Sequence, residues 1–126
     1  MPKVRVVYYQ ETPGKAPVLD WIEETEKNHC DSSNKFIACI ERLQIEGYKL
    51  HRPSAEYLRD DIYELRATYQ NRAYRILYFF HKQTAVLCNA LLKREDNRRE
   101  FDKAIDKAIE RNKKYIENPT KYTYEE

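Results

Sequence analysis

IYELR (62–66), AYRILYFF (73–80) and AVLCNALLKR (85–94) are three apolar runs that follow one another with only short polar breaks. They are rich in aromatic and β-branched residues, which is typical of consecutive antiparallel strands. The stretch therefore predicts a three-stranded meander. Its cations are unusually placed, because arginines lie inside the first two runs and Lys93 with Arg94 closes the third.

Two of these arginines are predicted to face each other. If Gln70 and Asn71 form the hairpin loop, Arg66 and Arg75 lie directly opposite on one face of the sheet. Like charges across a ladder are destabilising, so a face that keeps this pair suits an anionic ligand such as phosphate. The alternative is structural: Glu64, on the same face at the strand period of two, pairs with Arg66 while Arg75 points to solvent.

A strand and a helical hairpin precede the meander. The strand is VRVVYY (4–9). The first helix begins at Pro17, because proline is favoured in the first helical turn. The second is capped by Ser32 or Ser33 and ends at Gly47. Its predicted buried stripe consists of Phe36, Ile37, Ile40, Leu43 and Gln44.

Residues 49–61 predict an irregular, basic connection, because Pro53 interrupts any helix there. His51 lies in this segment. Imidazole groups exchange protons near neutral pH, so His51 is a candidate for acid/base chemistry, although such residues are more often merely solvated. The connection ends in a turn formed by Asp60 and Asp61.

A long C-terminal helix completes the fold. Asn97 and Glu100 form a capping box at its start, and the Asn118-Pro119 pair ends it. The whole is predicted to be one α+β domain: N-terminal strand, helical hairpin, three-stranded antiparallel meander and C-terminal helix. Residues 119–126 form a tail that is either loose or docked. We expect the helices to cover one face of the sheet and to leave the other for function or for a partner.

Charge is unevenly distributed along the chain. The net charge is +2 overall, but it is −2 for residues 1–48, +5 for residues 49–94 and −1 for residues 95–126. The positive excess coincides with the meander and the segment before it, which is the footprint expected for a polyanion such as RNA. An excess of this size also occurs in ordinary mixed-charge domains.

Several classes of protein are disfavoured. No apolar run is long enough to cross a membrane and no signal peptide is evident, which predicts a cytoplasmic protein. Cys30, Cys39 and Cys88 have neither zinc-ligand nor disulfide-framework spacing, so they are predicted to be ordinary reduced thiols. The chain has no glycine-rich phosphate loop, metal-ligand spacing or nucleophile elbow, and we expect no metal or cofactor.

The ordered motifs LRDDIYELR (58–66), YRILYF (74–79) and ALLKR (90–94) resemble the phage-derived Gp49-like proteins of the RelE/ParE toxin superfamily, and within it the HigB branch. The resemblance covers nearly the whole domain. It implies a RelE-like fold and a bacterial type II toxin that cuts messenger RNA, usually at the ribosome. A helix-turn-helix antitoxin would hold the toxin inactive.

The chemistry implied by this resemblance is metal-free attack of a ribose 2′-hydroxyl on the neighbouring phosphate, leaving a cyclic phosphate and a 5′-hydroxyl. Arg75 matches the transition-state arginine of the family, and Arg66 matches a basic position on the preceding strand. Lys93 and Arg94 match the basic pair that closes the last strand. The predicted catalytic residues are Arg66, Arg75, Lys93 and His51, and the predicted RNA-binding residues are Arg52, Arg59, Arg72, Arg94 and Arg98.

The chain departs from the family pattern at two positions. Phe101 stands near the place where RelE-like members have a tyrosine, and Glu64 stands where they have a second lysine. Either another residue such as His51 or Tyr69 transfers the proton, or the site relies on electrostatics and ribosomal RNA. Two alternatives are a non-enzymatic gyrase inhibitor like the ParE branch and an inactive relative that only binds its antitoxin.

Overall fold

A five-stranded sheet carries the site, and it is formed mainly by the meander. The computed structural model describes residues 4–28, 33–94 and 96–124. The elements are β1 (Arg5–Tyr8), α1 (Pro17–Asn28), α2 (Ser33–Glu46), a 3₁₀ turn (Gly47–Lys49), β2 (Ala55–Arg59), β3 (Ile62–Tyr69), β4 (Arg72–His81), β5 (Thr84–Lys93), α3 (Arg98–Glu117) and α4 (Pro119–Tyr122). Among these described residues, no helix is long and apolar enough to span a membrane.

The strand order is β1-β5-β4-β3-β2, with β2 to β5 antiparallel and β1 parallel to β5. The predicted loop of Gln70 and Asn71 is confirmed, and both residues have positive φ, at 49° and 65°. Two-residue hairpin loops need this backbone, which asparagine tolerates well. The loop sets the register so that Arg66 lies opposite Arg75, as predicted.

The prediction of an irregular connection over residues 49–61 was wrong for residues 55–59, which form β2 and pair with β3. Pro53 ends the preceding segment but does not prevent a strand two residues later at the edge of a sheet, where few backbone donors are needed. Asp60 and Asp61 form the predicted turn between the two strands. The meander therefore has four strands.

Helices cover both faces of the sheet, so the expectation of one free face was wrong. Helices α1 and α2 pack on one face, and α3 packs on the other. The reason lies in β4 and β5, which are apolar on both faces in their central parts. Near the start of α3, the face under that helix carries an open groove among the described residues. The second core contains Ile62, Leu77, Phe79, Val86, Ile105 and Tyr115.

The sheet-facing side of α2 differs by one residue from the predicted stripe. Phe36 is 1% exposed and contacts the rings of Trp21 and Tyr74, whereas Ile37 is 54% exposed. A step of one residue turns the side chain by about 100° around the helix axis, and with Phe36 facing the sheet this step places Ile37 towards solvent. Ile37 was therefore wrongly included. The candidate cap Ser32 lies outside the described residues, as does Cys30.

The segment after α3 docks on β1. The amide of Gln10 donates to the carbonyl of Tyr122, and the amide of Tyr124 donates to the carbonyl of Tyr8, each at 2.8 Å. The sequence left this segment either loose or docked, and its described part is docked. Its last two residues, 125 and 126, lie outside the described part.

Phe36→Ala should lower the free energy of unfolding by about 3–5 kcal/mol, because it leaves a cavity between α2 and the sheet. Ile37→Ala is the matched control, and its effect should stay within about 0.5 kcal/mol because the side chain is exposed. Urea denaturation of both variants measures the difference. Equal losses would contradict the orientation of α2 described above.

Candidate functional site

A groove of about 560 Å³ opens on the α3 face of the sheet, where that face is not covered by the helix. We call it the basic groove. Strands β2 and β3 form one wall, and the end of β5 with the start of α3 forms the other. The lining residues are Arg52, Glu56, Leu58, Glu64, Arg66, Lys93, Arg94, Arg98 and Phe101, of which Arg52, Arg66, Lys93, Arg94 and Arg98 are predicted site residues.

Glu64 is the buried centre of this region. The residue is only 1% exposed, although a carboxylate is costly to remove from water. Its Oε2 accepts from Arg66 Nε at 3.0 Å and from Arg66 Nη2 at 2.9 Å. Its Oε1 lies 3.2 Å from Arg75 Nε and forms an ion pair with that guanidinium. Glu64 thus binds both of the arginines that face each other.

The alternative prediction, in which Glu64 pairs with Arg66 while Arg75 points to solvent, is correct for Arg66 and wrong for Arg75. Glu64 does pair with Arg66, but Arg75 does not point to solvent, since its side chain is only 11% exposed. Arg75 lies on β4, between the strands that carry Arg66 and Lys93, and does not line the groove. Burial lowers the pKa of the Arg75 guanidinium, Glu64 opposes this change and Arg66 adds to it. A guanidinium stays charged in spite of such a change.

Two facing glutamates, Glu56 and Glu64, offset the repulsion between the two facing arginines. Glu56 lies directly opposite Glu64 on β2. Arg66 bridges the two carboxylates, because its Nη2 bonds to both, and Arg52 pairs with the outer side of Glu56. The order Arg52, Glu56, Arg66, Glu64, Arg75 therefore alternates in sign across three strands. Each group has an opposite neighbour, which offsets the repulsion that either like pair would have alone.

The opposite wall has no such compensation. Lys93, Arg94 and Arg98 make no ion pair with any carboxylate in the described ranges, which exclude residue 95. The Lys93 ammonium lies 4.9 Å from the centre of the Phe101 ring, a cation–π contact that orients it without neutralising it. An anion can therefore bind to this wall without first breaking an ion pair with a carboxylate in the described residues.

The remaining predicted residues lie elsewhere. Arg72 borders a neighbouring depression of about 500 Å³ that shares Lys93 and Arg94 with the basic groove. Arg59 pairs with Asp106 and Asp60 and lines neither. His51 is exposed outside the groove, with Nδ1 3.0 Å from the carbonyl oxygen of Lys49.

Sequence reasoning missed Glu56 and Leu58 as groove residues. Both are on β2, which was not recognised as a strand. The available signal was weak: in AEYLR (55–59) polar and apolar residues alternate only over the first three positions, because Tyr57 and Leu58 are both apolar and the register shifts there. Glu64 was recognised as a neighbour of Arg66 but not as the ligand of both arginines, because the depth of burial depends on α3.

Fold and site together define a class, an α+β domain in which a mixed sheet between helices carries a cation-lined groove at an uncovered end. The family profile described as "Phage derived protein Gp49-like (DUF891)" matches residues 20–113, which is well over half of the chain. The protein belongs to this family, a RelE/HigB-like toxin family, and this membership confirms the resemblance and gives it a toxin–antitoxin context. Comparison with curated proteins found no match.

Glu64→Gln should lower the free energy of unfolding by about 3–5 kcal/mol, because it leaves two opposed guanidinium groups without their buried counter-ion. The control is Glu110→Gln, which removes an exposed carboxylate paired with Lys107 and Lys114 and should cost less than about 1 kcal/mol. Chemical denaturation at neutral pH checks both. A Glu64 variant as stable as the control would refute the buried counter-ion.

Proposed function

We propose that this protein is the toxin of a type II toxin–antitoxin pair, with a RelE-like arrangement, and that it cleaves messenger RNA at the ribosome. The observation that carries the proposal is the basic groove. Its outer wall presents Lys93, Arg94 and Arg98 without carboxylate partners among the described residues, and its inner wall presents a held guanidinium, Arg66. An RNA phosphodiester between these walls would meet positive charge from two sides.

The proposed reaction is a transfer within the RNA in which the 2′-hydroxyl loses a proton and the leaving 5′ oxygen gains one. A ribose 2′-hydroxyl attacks the adjacent phosphate, the bond to the 5′ oxygen breaks, and the products are a cyclic phosphate and a 5′-hydroxyl. Negative charge increases at phosphorus in the pentacovalent state. Arg66 and Lys93 would therefore bind that state more tightly than the substrate, which lowers the barrier.

Arg75 has an indirect role in this mechanism. Its guanidinium is separated from the groove by the Glu64 carboxylate. We assign it as a positioning residue that fixes Glu64 and, through Glu64, the orientation of Arg66. His51, which lies outside the groove, is given no step.

The proposed partners follow from the same charges. Messenger RNA bound to the ribosome would enter the groove, and the protein would act in the cytoplasm where translation occurs. A helix-turn-helix antitoxin would inhibit it by covering the groove with an acidic segment, because charge complementarity favours that surface. A second candidate is a relative that binds only its antitoxin, which the internal neutralisation of Arg66 by two glutamates favours.

Lys93→Ala should abolish killing and cleavage in bacteria, because it removes the ammonium that lies in the groove without a carboxylate partner in the described part. The charge-matched control is Lys35→Ala, an exposed position on α2 across the sheet, which should behave as wild type. Brief induction followed by mapping of new 5′-hydroxyl ends on messenger RNA measures the effect. Growth arrest without new ends would indicate another target such as gyrase. No arrest would favour the binding-only relative.

RNA affinity should fall steeply with salt. For a single strand the logarithm of the binding constant decreases with the logarithm of salt concentration by about 0.7 per phosphate contacted. Lys93→Ala should reduce this slope by about one contact, whereas Lys35→Ala should leave it unchanged. Fluorescence anisotropy with a short, non-cleavable RNA at increasing potassium chloride tests this. A flat response in the wild type would contradict phosphate binding in the groove.

A further inference from the structure

Among the described residues, which leave out residue 95, the groove contains very few groups that can accept a proton. Of its nine lining residues, four are arginines, one is a lysine and two are the apolar Leu58 and Phe101. Arginine and ammonium groups cannot accept a proton while charged. No histidine or tyrosine is among the described residues that line this groove. The two remaining residues are glutamates, Glu56 and Glu64.

Glu64 is not accessible to a ribose hydroxyl. Its side chain is 2% exposed, and each of its oxygens is in contact with an arginine, Arg66 on one side and Arg75 on the other. The Glu56 oxygens are also bonded to arginines, Arg52 and Arg66, but the Glu56 side chain is 25% exposed. It stands at the rim of the same wall, next to the guanidinium of Arg66 that faces the groove.

From this geometry we propose that the Glu56 carboxylate is the proton acceptor in RNA cleavage, taking the proton of the attacking 2′-hydroxyl. The inference rests on the proposed function and assigns a group that sequence reasoning left open. Phosphate bound by Arg66 would bring the adjacent ribose within reach of the carboxylate that the same guanidinium holds. A base must lie within hydrogen-bond distance of the proton that it removes.

The step balances with groups in the groove. The 2′-hydroxyl proton passes to a Glu56 oxygen as the bond from O2′ to phosphorus forms. The bond from phosphorus to O5′ then breaks, and the leaving O5′ takes a proton from the Lys93 ammonium across the groove. Glu56 afterwards loses its proton to water and Lys93 regains one, which restores both groups.

The positive charges around Glu56 keep its carboxylate ionised, which is the form that can accept a proton. The hydrogen bond from Arg52 is the main cause that lowers its pKa, and the charges of Arg52, Arg66 and Lys93 act in the same direction. Glu64, directly opposite on β3, is the nearest like charge. The carboxylate is therefore ionised throughout the neutral range. A carboxylate with a lowered pKa is a weak base, but every protein molecule carries it in the ionised, reactive form at neutral pH.

The decisive variant is Glu56→Gln, which keeps the size of the side chain and a hydrogen-bond acceptor but removes the basic oxygen. Its matched control is Glu46→Gln, because Glu46 also pairs with an arginine four residues earlier, Arg42, but lies on α2 outside the groove. Glu56→Asp keeps a carboxylate at a shorter reach. Cleavage by each purified full-length variant is timed on ribosomes translating a short messenger RNA, and kcat and KM are separated.

We expect kcat of Glu56→Gln to fall by about 10²–10⁴-fold, the range for loss of a general base. KM should be unchanged or lower, because the groove loses a negative charge that repels RNA. Glu56→Asp should retain more activity than Glu56→Gln, and Glu46→Gln should match wild type. Wild-type kcat from Glu56→Gln, or a raised KM with unchanged kcat, would overturn the assignment and leave the ribonuclease intact.

A pH profile provides a second readout that a purely structural role would not change. The acid limb of kcat for wild type should lie below the ordinary range for glutamate. Arg52→Ala removes the principal cause of the lowered pKa, so its acid limb should move to higher pH. An acid limb that does not move would overturn the proposal. If the wild type itself produces no 5′-hydroxyl ends, the proposed function fails, and this inference fails with it.

Discussion

The site depends on one buried carboxylate. The register of β3 and β4 brings two guanidinium groups face to face, and in the absence of Glu64 nothing in the described part of this face would hold both of them. Two arginines on adjacent strands repel each other, and a buried acid is expensive by itself. The repulsion between Arg66 and Arg75 and the cost of burying Glu64 are offset because the three charged groups contact one another. The orientation of Arg66, and hence the shape of the groove wall, follows from this combination.

The two walls of the groove differ in how freely they can bind an anion. On the inner wall every cation is shared with a glutamate, so an incoming phosphate must compete with Glu56 for Arg66. On the outer wall the competition is weaker. Under the proposed function, a polyanion would first meet Lys93 and its neighbours, and contact with Arg66 would come later. In that case the affinity for the polyanion would depend mainly on the charge of the wall that carries Lys93. The final position of the phosphate would depend on β2, which carries Glu56.

Features set by local chemistry could be predicted from sequence, whereas features set by distant contacts could not. The loop of Gln70 and Asn71 was inferred from the polar break between two apolar runs, and a two-residue loop at this place fixes the pairing of Arg66 with Arg75. Strand β2 has little signal of its own because its state is decided by pairing with β3. Glu56 was missed for that reason. The covering of the second sheet face had a local signal that was not used, namely the apolar residues on both faces of β4 and β5.

The docked C-terminal segment has a consequence for self-association. Sheets that stack edge to edge into fibres need two open edges, one for each neighbour. Here the carbonyl of Tyr8 and the amide of Gln10 are already bonded to the segment after α3, so a second chain adding along β1 would have to displace it. The opposite edge, β2, has no further strand beside it in the described part of the chain. Edge-to-edge growth of the sheet is therefore hindered at the end of β1 that the C-terminal segment covers.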